Sequence, residues 1–416
     1  MSESRQSVLV AGGGIIGAAC AYYLAEAGEK VTIIDQATFG SQCSLHNCGY
    51  VCPSHVLPLT EPGAVWATLK GMLKPNSPFS VKFRPDWRLA DWFLRFALRC
   101  NEKDMMKGAR GLYPLLQSSM KLYREMLDKE RIDCEWQDKG LFYVYKDEKT
   151  FDSYGKTNDM LTEKFGETAV RVEGKDLHDV EPALKDGLAG GGHYKEDAHL
   201  RSDLLMTGLK KNLLDKGVRI LENHALTGLK EIEGGVAVQT SAGELKGKSL
   251  VLATGALTPK LAKIVGWRAP IEPGKGYSLT MKRPGICPDI PLIFPETRVA
   301  VTPFADGYRL GSTMEFSGYD DSIHPKRLNL LRSGVEDYLK EPYAEPVTNT
   351  WYGWRPMTYD SLPIIGPCPG NPKVTLATGH NMLGLSLAPA TGKLVAELLT
   401  GKAPHIETNP YSPERF

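Results

Sequence analysis

The chain has almost no net charge to act with: 50 lysines and arginines stand against 49 aspartates and glutamates, a balance of +1. That near-neutrality excludes an electrostatically driven nucleic-acid binder, which needs a basic surface to meet the phosphates. No apolar run approaches the roughly 18 residues needed to span a bilayer. The polar start Met1–Ser7 runs straight into a strand, so no secretory leader is expected. Internal repeats and low-complexity tracts are missing, as are a Ser–His–Asp arrangement and a carboxylate pair. Cysteine is sparse: eight in 416 residues, without a leader, point to reduced thiols in a cytoplasmic protein. Cys43, Cys48 and Cys52 cluster, but the next cysteine is Cys100, too far to complete an iron–sulfur site. No metal is expected.

What is present begins at Val8. A short apolar strand, Val8 to Ala11, meets Gly12-Gly13-Gly14-Ile15-Ile16-Gly17, then a helix to about Ala27, Gly28, and a second strand, Val31 to Ile34, ending in Asp35. This is a dinucleotide fingerprint in its required strand–turn–helix–strand context. Gly12 allows the tight turn, Gly14 lets backbone approach a pyrophosphate, and Gly17 lets helix and strand pack closely. The helix N-terminus offers N–H groups and positive dipole to phosphate, with Asp35 placed for the ribose hydroxyls. At 416 residues the chain should form two units.

From Phe39 to Pro62 the residues are rich in Gly, Ser, Cys, His and Pro, an ordered loop of the kind that carries function. Within it Pro53-Ser54-His55 could line a pocket, although a histidine there is more often a hydrogen-bonded loop residue. Asp86 to Arg99 reads as a helix with Arg88, Arg95 and Arg99 on one arc, either an ordinary core helix with a solvated face or a membrane-surface contact. A helix over Leu112–Lys129 and a strand over Gly140–Tyr145 follow. Ser202 is expected to cap a helix stopped by Gly217, and a three-stranded meander comes next. Ser249 to Ala253 forms a strand ending in Thr254-Gly255-Ala256, a second close approach to a cofactor. Tyr277–Met281 and Val299–Phe304 read as strands, Asp306-Gly307 turns into Tyr308–Glu315, and a helix spans about Pro325–Leu339. Near the end stand Gly353-Trp354-Arg355-Pro356, then Leu362-Pro363-Ile364-Ile365-Gly366, the strand Val374–Ala377, Thr378-Gly379-His380-Asn381, and a helix expected from about Pro389.

Together these motifs resemble the D-amino-acid oxidase-like family of FAD enzymes, which includes glycine oxidase, sarcosine oxidase and bacterial D-amino-acid dehydrogenases. The resemblance rests on Gly12–Gly17 with Asp35, Ala253–Ala256, Lys275-Gly276-Tyr277-Ser278, Gly353–Pro356 with Leu362–Gly366, and Thr378–His380, in order along nearly the whole chain. Asn47-Cys48-Gly49 and the Pro53–His55 loop look most like the dehydrogenase branch. It implies a mixed α/β fold: a glutathione-reductase-type, Rossmann-like FAD domain (1–75, 195–269, 350–416) and a discontinuous antiparallel-sheet substrate domain (76–194, 270–349).

The resemblance further implies hydride transfer from the Cα of a D-amino acid to flavin N5, giving an imino and then a 2-oxo acid, with D-proline or hydroxy-D-proline among the candidate substrates. Arg355 would grip the substrate carboxylate, with Tyr277 and His55 closing the pocket. FAD contacts are expected from Gly12, Gly14, Ile15, Ile16, Gly17, Asp35, Gln36, Ser44, Asn47, Cys48, Gly49, Thr254, Gly255, Gly353, Gly379, His380, Asn381, Met382 and Leu383. No cysteine matches the covalent attachment point of the sarcosine oxidase branch, so FAD is expected to be non-covalent. Asn381-Met382 replaces a glycine common in relatives, which unsettles any backbone contact to the substrate amine there. Oxygen, a quinone or another protein could reoxidise the flavin, and the oligomeric state is open. The expected location is the cytoplasm, with peripheral contact at the inner face of the membrane left open. The alternatives are a glycine or sarcosine-type oxidase, a flavin-binding subunit of a larger complex, and an NAD-linked dehydrogenase, against which the Ala-Thr-Gly-Ala segment speaks.

Overall fold

The computed structural model describes residues 7–66, 70 and 77–416. The polar start up to Gln6 and the expected boundary at 75/76 lie outside those residues. In chain order, β1 (Val8–Ala11), α1 (Ile15–Glu26) and β2 (Val31–Ile34) are followed by β3 (Tyr50–Val51) and β4 (Phe79–Val81). Then come α2 (Trp87–Arg99), α3 (Glu102–Glu130), β5 (Leu141–Tyr145), α4 (Glu148–Phe165), β6 (Val170–Glu173), β7 (Gly190–Tyr194) and β8 (Ala198–His199). The middle holds α5 (Ser202–Asp215), β9 (Arg219–Leu221), β10 (Leu226–Ile232), β11 (Gly235–Thr240), β12 (Gly243–Gly247) and β13 (Ser249–Leu252). The last third holds β14 (Ile271–Lys282), β15 (Leu292–Phe294), β16 (Val299–Pro303), β17 (Gly307–Phe316), α6 (Pro325–Glu336), β18 (Val347–Thr358), β19 (Ile364–Cys368), β20 (Asn371–Thr378) and α7 (Gly384–Thr400).

One sheet runs β19-β20-β13-β1-β2-β9, parallel except for β19. Its central strand β1 is apolar along its whole length, and its neighbours β2 and β13 nearly so, because both faces are covered. Val8 and Val10 pack among α1, α3 and α7, whereas Leu9 and Ala11 pack against Val236 and Val238 of the β10–β12 meander. Each such fully buried aliphatic side chain contributes about 1.5–3 kcal/mol.

The second sheet runs β18-β14-β17-β16-β15-β5-β7-β6, with β4 alongside the end of β17. It is antiparallel apart from the β15/β5 and β17/β4 pairs. α6 covers one face: Leu331 and Val335 join Leu279, Leu310 and Tyr277 in a core. β18 pairs with β14 from Val347 to Thr358, so a boundary at 350 would cut through a strand of this sheet.

Several local expectations shift. The helix expected over Leu112–Lys129 starts at Glu102, capped by Asn101, whose side chain accepts the Asp104 N–H. The Pro325 helix ends at Glu336 rather than Leu339. Ser202 is the first helical residue of α5 rather than its cap, and its hydroxyl donates to Leu45 O at 2.7 Å. The last helix begins at Gly384, not at Pro389. Proline inside a helix frees the carbonyl four residues earlier. Here Tyr123 Oη donates to that carbonyl, Leu385 O, at 2.8 Å, and the Ala390 N–H goes to Ser119 Oγ at 3.1 Å. Two side chains of α3 thus take up the proline's disruption.

Candidate active site

A cavity of about 1370 Å³ runs between the two sheets, from Asp35 at one end to Arg355 and Tyr143 at the other. It is larger than the roughly 300–1,000 Å³ of an ordinary small-ligand pocket. Its first end is made by backbone. Gly12 sits at φ +108°, and a Cβ there would lie 2.4 Å from Ala253 O. A Cβ on Gly17 would lie 1.8 Å from Gly12 O, so only glycine lets α1 cross β1 this closely. Asp35 Oδ2 accepts the Gly13 N–H at 2.6 Å and Oδ1 the Ala37 N–H at 2.8 Å, which locks the turn. Burial raises this carboxyl above its usual range despite those two bonds. Ser44 Oγ accepts the Ile15 N–H at 2.8 Å, bringing the following loop onto the helix start. No acidic side chain occupies the first turn of α1, so the positive end of its dipole is left to the Asp35 turn and whatever the cavity holds.

The middle of the cavity is walled by loops held from behind. Asn47 Oδ1 accepts the Gly49 N–H at 2.8 Å, and its Nδ2 donates to Cys43 O at 3.1 Å. Gly49 is required: at φ +74°, its Cβ would fall 2.0 Å from Leu200 O. The buried Arg309 donates to Asn47 O at 2.7 Å, and its lack of solvent pulls its value down to about 10. Across the cavity, Asn381 lies at φ +51°, a left-handed conformation that asparagine tolerates. Its side chain accepts the Thr358 N–H at 2.9 Å and donates to Gly379 O at 2.9 Å, tying this loop to the end of β18. His380 turns into the protein, Nε2 bonding Thr391 Oγ1 at 3.0 Å, and burial pushes it down to about 3.

The far end is made of side chains. Trp351, Gly353 and Arg355 alternate along β18 and all border the cavity. Arg355 Nη1 donates to Thr313 O at 2.7 Å, and the guanidinium lies where a Cβ on Gly276 would be. Burial lowers its affinity for its proton, with Cys48 and Cys43 acting the other way. Among the described residues no carboxylate lies within salt-bridge distance of Arg355. Beside it the Thr313 hydroxyl is buried with no partner among the described residues. His55 Nε2 meets Tyr143 Oη at 2.5 Å, and burial holds this imidazole neutral at about 4.

Of the expected residues, all but Gly17 and Gly379 border this one cavity. Those two work by packing: Gly17 under Gly12, and Gly379, at φ +74°, against Thr358 and Ile364. Tyr277 needs correction. In the register Gly276 faces Gly353 and Tyr277 faces Tyr352, so the Tyr277 ring lies on the side opposite Arg355. It is buried in the α6 core with Oη donating to Glu315 Oε2 at 2.7 Å, so, although Tyr277 borders the cavity, its hydroxyl does not turn toward Arg355. Among the lining aromatics not picked out from the sequence are Tyr50, Tyr143 and Trp351. Trp351 was within reach of period-two reasoning from Arg355; Tyr50 and Tyr143 were not. The thiols of Cys43 and Cys48 sit apart in the wall, Cys43 Sγ on Trp354 O at 2.9 Å, and burial raises both. No group of three or more His, Cys, Asp or Glu is placed to hold a metal among the described residues.

The glycine cradle, the N-terminus of α1, Asp35 and the length of the cavity fit an extended dinucleotide such as FAD. Comparison with known proteins agrees. Curated D-amino acid dehydrogenases are similar to this chain: that of Methylobacterium nodulans is 31% identical over 98% of this chain and 99% of its own. That of Granulibacter bethesdensis is 29% identical over 96% and 97%. Among solved structures, glycine oxidase from Geobacillus kaustophilus superposes with a TM-score of 0.81 at 22% identity, covering 99% of both chains. L-proline dehydrogenase from P. horikoshii gives 0.73 at 19% identity, covering 99% of this chain and 98% of its own. The family model described as DAO, FAD dependent oxidoreductase, matches residues 7–398, and the chain belongs to that family.

Proposed function

We propose that this chain is a D-amino acid dehydrogenase, oxidising the amine next to a carboxylate to an imine that hydrolyses to a 2-oxo acid. The observation that carries the reading is Arg355: a half-buried guanidinium, without a carboxylate partner among the described residues, opening into a cavity whose other end is a dinucleotide cradle. A half-buried charge left unpaired is under-solvated, so such a site favours an anionic ligand that completes it. The similarity to the D-amino acid dehydrogenases supports a substrate of D configuration.

FAD, held without a covalent bond, supplies the acceptor for the hydride that leaves Cα. We assign its phosphates to Gly12–Gly17 and the N-terminus of α1, its ribose to Asp35, and its ring system to the walls at Cys43–Gly49, Thr254, Gly255, Gly353 and Asn381–Leu383. The segments around the parallel sheet would hold the cofactor, and the large sheet, including β18, the substrate. Arg355 can present two parallel N–H bonds to the carboxylate and so fix which face of Cα is offered. Tyr143, held by the neutral His55 through Nε2, can take a hydrogen bond from the amine through its hydroxyl oxygen. The surrounding Tyr50, Trp351, Leu57 and Ile293 exclude water from the imine until it is released.

The surface of α2 fits peripheral contact with an anionic membrane on the cytoplasmic side. Phe83, Trp87, Leu94 and Leu98 are 93%, 73%, 60% and 67% exposed, beside Arg88 and Arg95. Apolar side chains flanked by cations suit a lipid interface. No helix among the described residues is long and apolar enough to cross a membrane. Sedimentation with anionic but not zwitterionic vesicles is expected, and equal recovery from both would contradict it.

The test of the activity is spectral. Purified holoprotein should be yellow and bleach anaerobically with D-amino acids, D-proline included. Failure to bleach across D-, L- and N-alkyl amino acids would refute the proposal, and peroxide released in step with turnover would favour an oxidase instead.

A further inference from the structure

The strongest unassigned group lies behind the wall that carries His55. Asp197, in the turn between β7 and β8, is 1% exposed and makes no salt bridge among the described residues. Its carboxylate caps the turn Cys52–Val56 from outside the cavity: the Ser54 N–H donates to Oδ1 at 3.1 Å and the Ser54 hydroxyl to Oδ2 at 2.5 Å. The Cys52 thiol faces the same group. Within the turn the His55 N–H reaches Cys52 O at 3.2 Å and the Val56 N–H reaches Ser54 O at 2.8 Å, so fixing Ser54 fixes His55. The backbone of Asp197 acts on the other partner: its carbonyl accepts the Gly140 N–H at 3.0 Å, where the chain enters the strand that holds Tyr143. The Cys52 N–H, on Ser386 Oγ at 3.2 Å, ties the turn to α7 as well.

We propose that Asp197 is a positioning residue for the substrate, holding the Cys52–Val56 turn by its side chain and the start of β5 by its backbone so that His55 and Tyr143 meet the amine together. This rests on the activity proposed above for the identity of the ligand, and on the geometry alone for the role.

Asp197 also has its own route to solvent. A second cavity of about 590 Å³ is lined by Asp197, Lys195 and Glu196, by Lys121, Arg124 and Glu125 of α3, and by Glu167. On its inner side lie Cys52, Tyr143, Tyr154 and Tyr194. Burial, opposed by the Ser54 bonds and reinforced by Glu167, raises the carboxyl to about 7. Ionised, it accepts from both Ser54 donors; protonated, one oxygen becomes a donor and the hydroxyl must turn. The turn therefore has two settings near neutral pH.

The experiment uses FAD-loaded wild type, Asp197→Asn and Ser54→Ala. For wild type, the apparent KM for the best D-amino acid should rise several-fold as pH falls through about 7, with kcat little changed. Asp197→Asn should show the weak value at every pH and no inflection, and Ser54→Ala an intermediate one. Independently of turnover, hydrogen exchange should show the amides of residues 52–56 better protected in wild type than in either variant at pH 8. Binding of benzoate, a carboxylate without an oxidisable Cα–H, read from flavin absorbance, should remain intact in all three. If no amino acid reduces the flavin but the exchange difference persists, the activity is wrong and the positioning role stands. Wild-type KM, inflection and protection in Ser54→Ala, and in Asp197→Asn if it folds, would overturn the proposal.

Discussion

At the nucleotide end of the cavity, the wall is backbone drawn from one short stretch: Gly12 to Gly17 turn around the start of α1, and Asp35 closes the turn by accepting the Gly13 N–H. At the end proposed for the substrate it is side chains drawn from elements far apart in the chain, with His55 from a loop, Tyr143 from β5, and Trp351 and Arg355 from β18. The first end depends on what is absent from a residue, a Cβ at a close crossing. The second depends on sheet register, which sets the face on which each side chain emerges. Cofactor binding should therefore fail on adding an atom, and substrate binding on removing one.

The largest effect that could break this contrast is at Gly12. Gly12→Ala places a methyl against Ala253 O in a backbone region closed to alanine, costing about 3 kcal/mol. The purified variant should be colourless and melt well below wild type; a yellow protein with normal thermal stability would show that the cradle is not built this way. Next in size is a pair of tyrosines. Tyr143→Phe removes a hydroxyl from the cavity and should weaken apparent amino-acid affinity several-fold, about 1 kcal/mol, without altering FAD content. Tyr277→Phe strips a partner from buried Glu315 on the opposite face, so it should lower the melting temperature while leaving KM unchanged. Steady-state kinetics and calorimetry on both would separate them; the reverse pattern would invert the assignment of faces.

The same contrast explains what could be read before any coordinates. The fingerprint was legible because its chemistry is local: each glycine has a job set by its immediate neighbours, and Asp35 follows at the end of the next strand. The Gly-Trp-Arg-Pro motif was legible in identity and place. Which way Tyr277 points was not, because it depends on β14 pairing with β18 in one register rather than the next, and a shift of one residue exchanges the two faces. The start of α7 is not legible for a different reason: Pro389 is tolerated inside the helix because Tyr123 and Ser119 of a distant helix take over its lost bond. Asp197, an ordinary acid in the run Lys195-Glu196-Asp197 in sequence, gains its role only through contact with Ser54.

The smallest effects are in pH. Burial holds His55 and His199 at about 4 and His380 at about 3, below the ordinary imidazole value near 6.5. Their neutral forms stabilise the fold fully above pH 6.5, and that contribution is lost as pH falls toward 3–4. Asp197 runs the other way: raised to about 7, it contributes stability that is full below about pH 4 and lost as pH rises through 7. The melting temperature of wild type should therefore fall on both sides of mildly acidic pH. Asp197→Asn should stabilise the protein at pH 8 relative to pH 5, checked by thermal denaturation in the two buffers; no difference between them would show that this carboxyl is not buried as charge.

The central claim is that Arg355 holds a carboxylate in line with the cofactor. It is tested most directly by anaerobic flavin reduction with a D-amino acid and with the amine that lacks only its carboxylate, in wild type and Arg355→Ala. Wild type should prefer the amino acid by about 100-fold, close to 3 kcal/mol, and the variant should retain FAD yet lose most of that preference. An unchanged preference in Arg355→Ala would contradict the account.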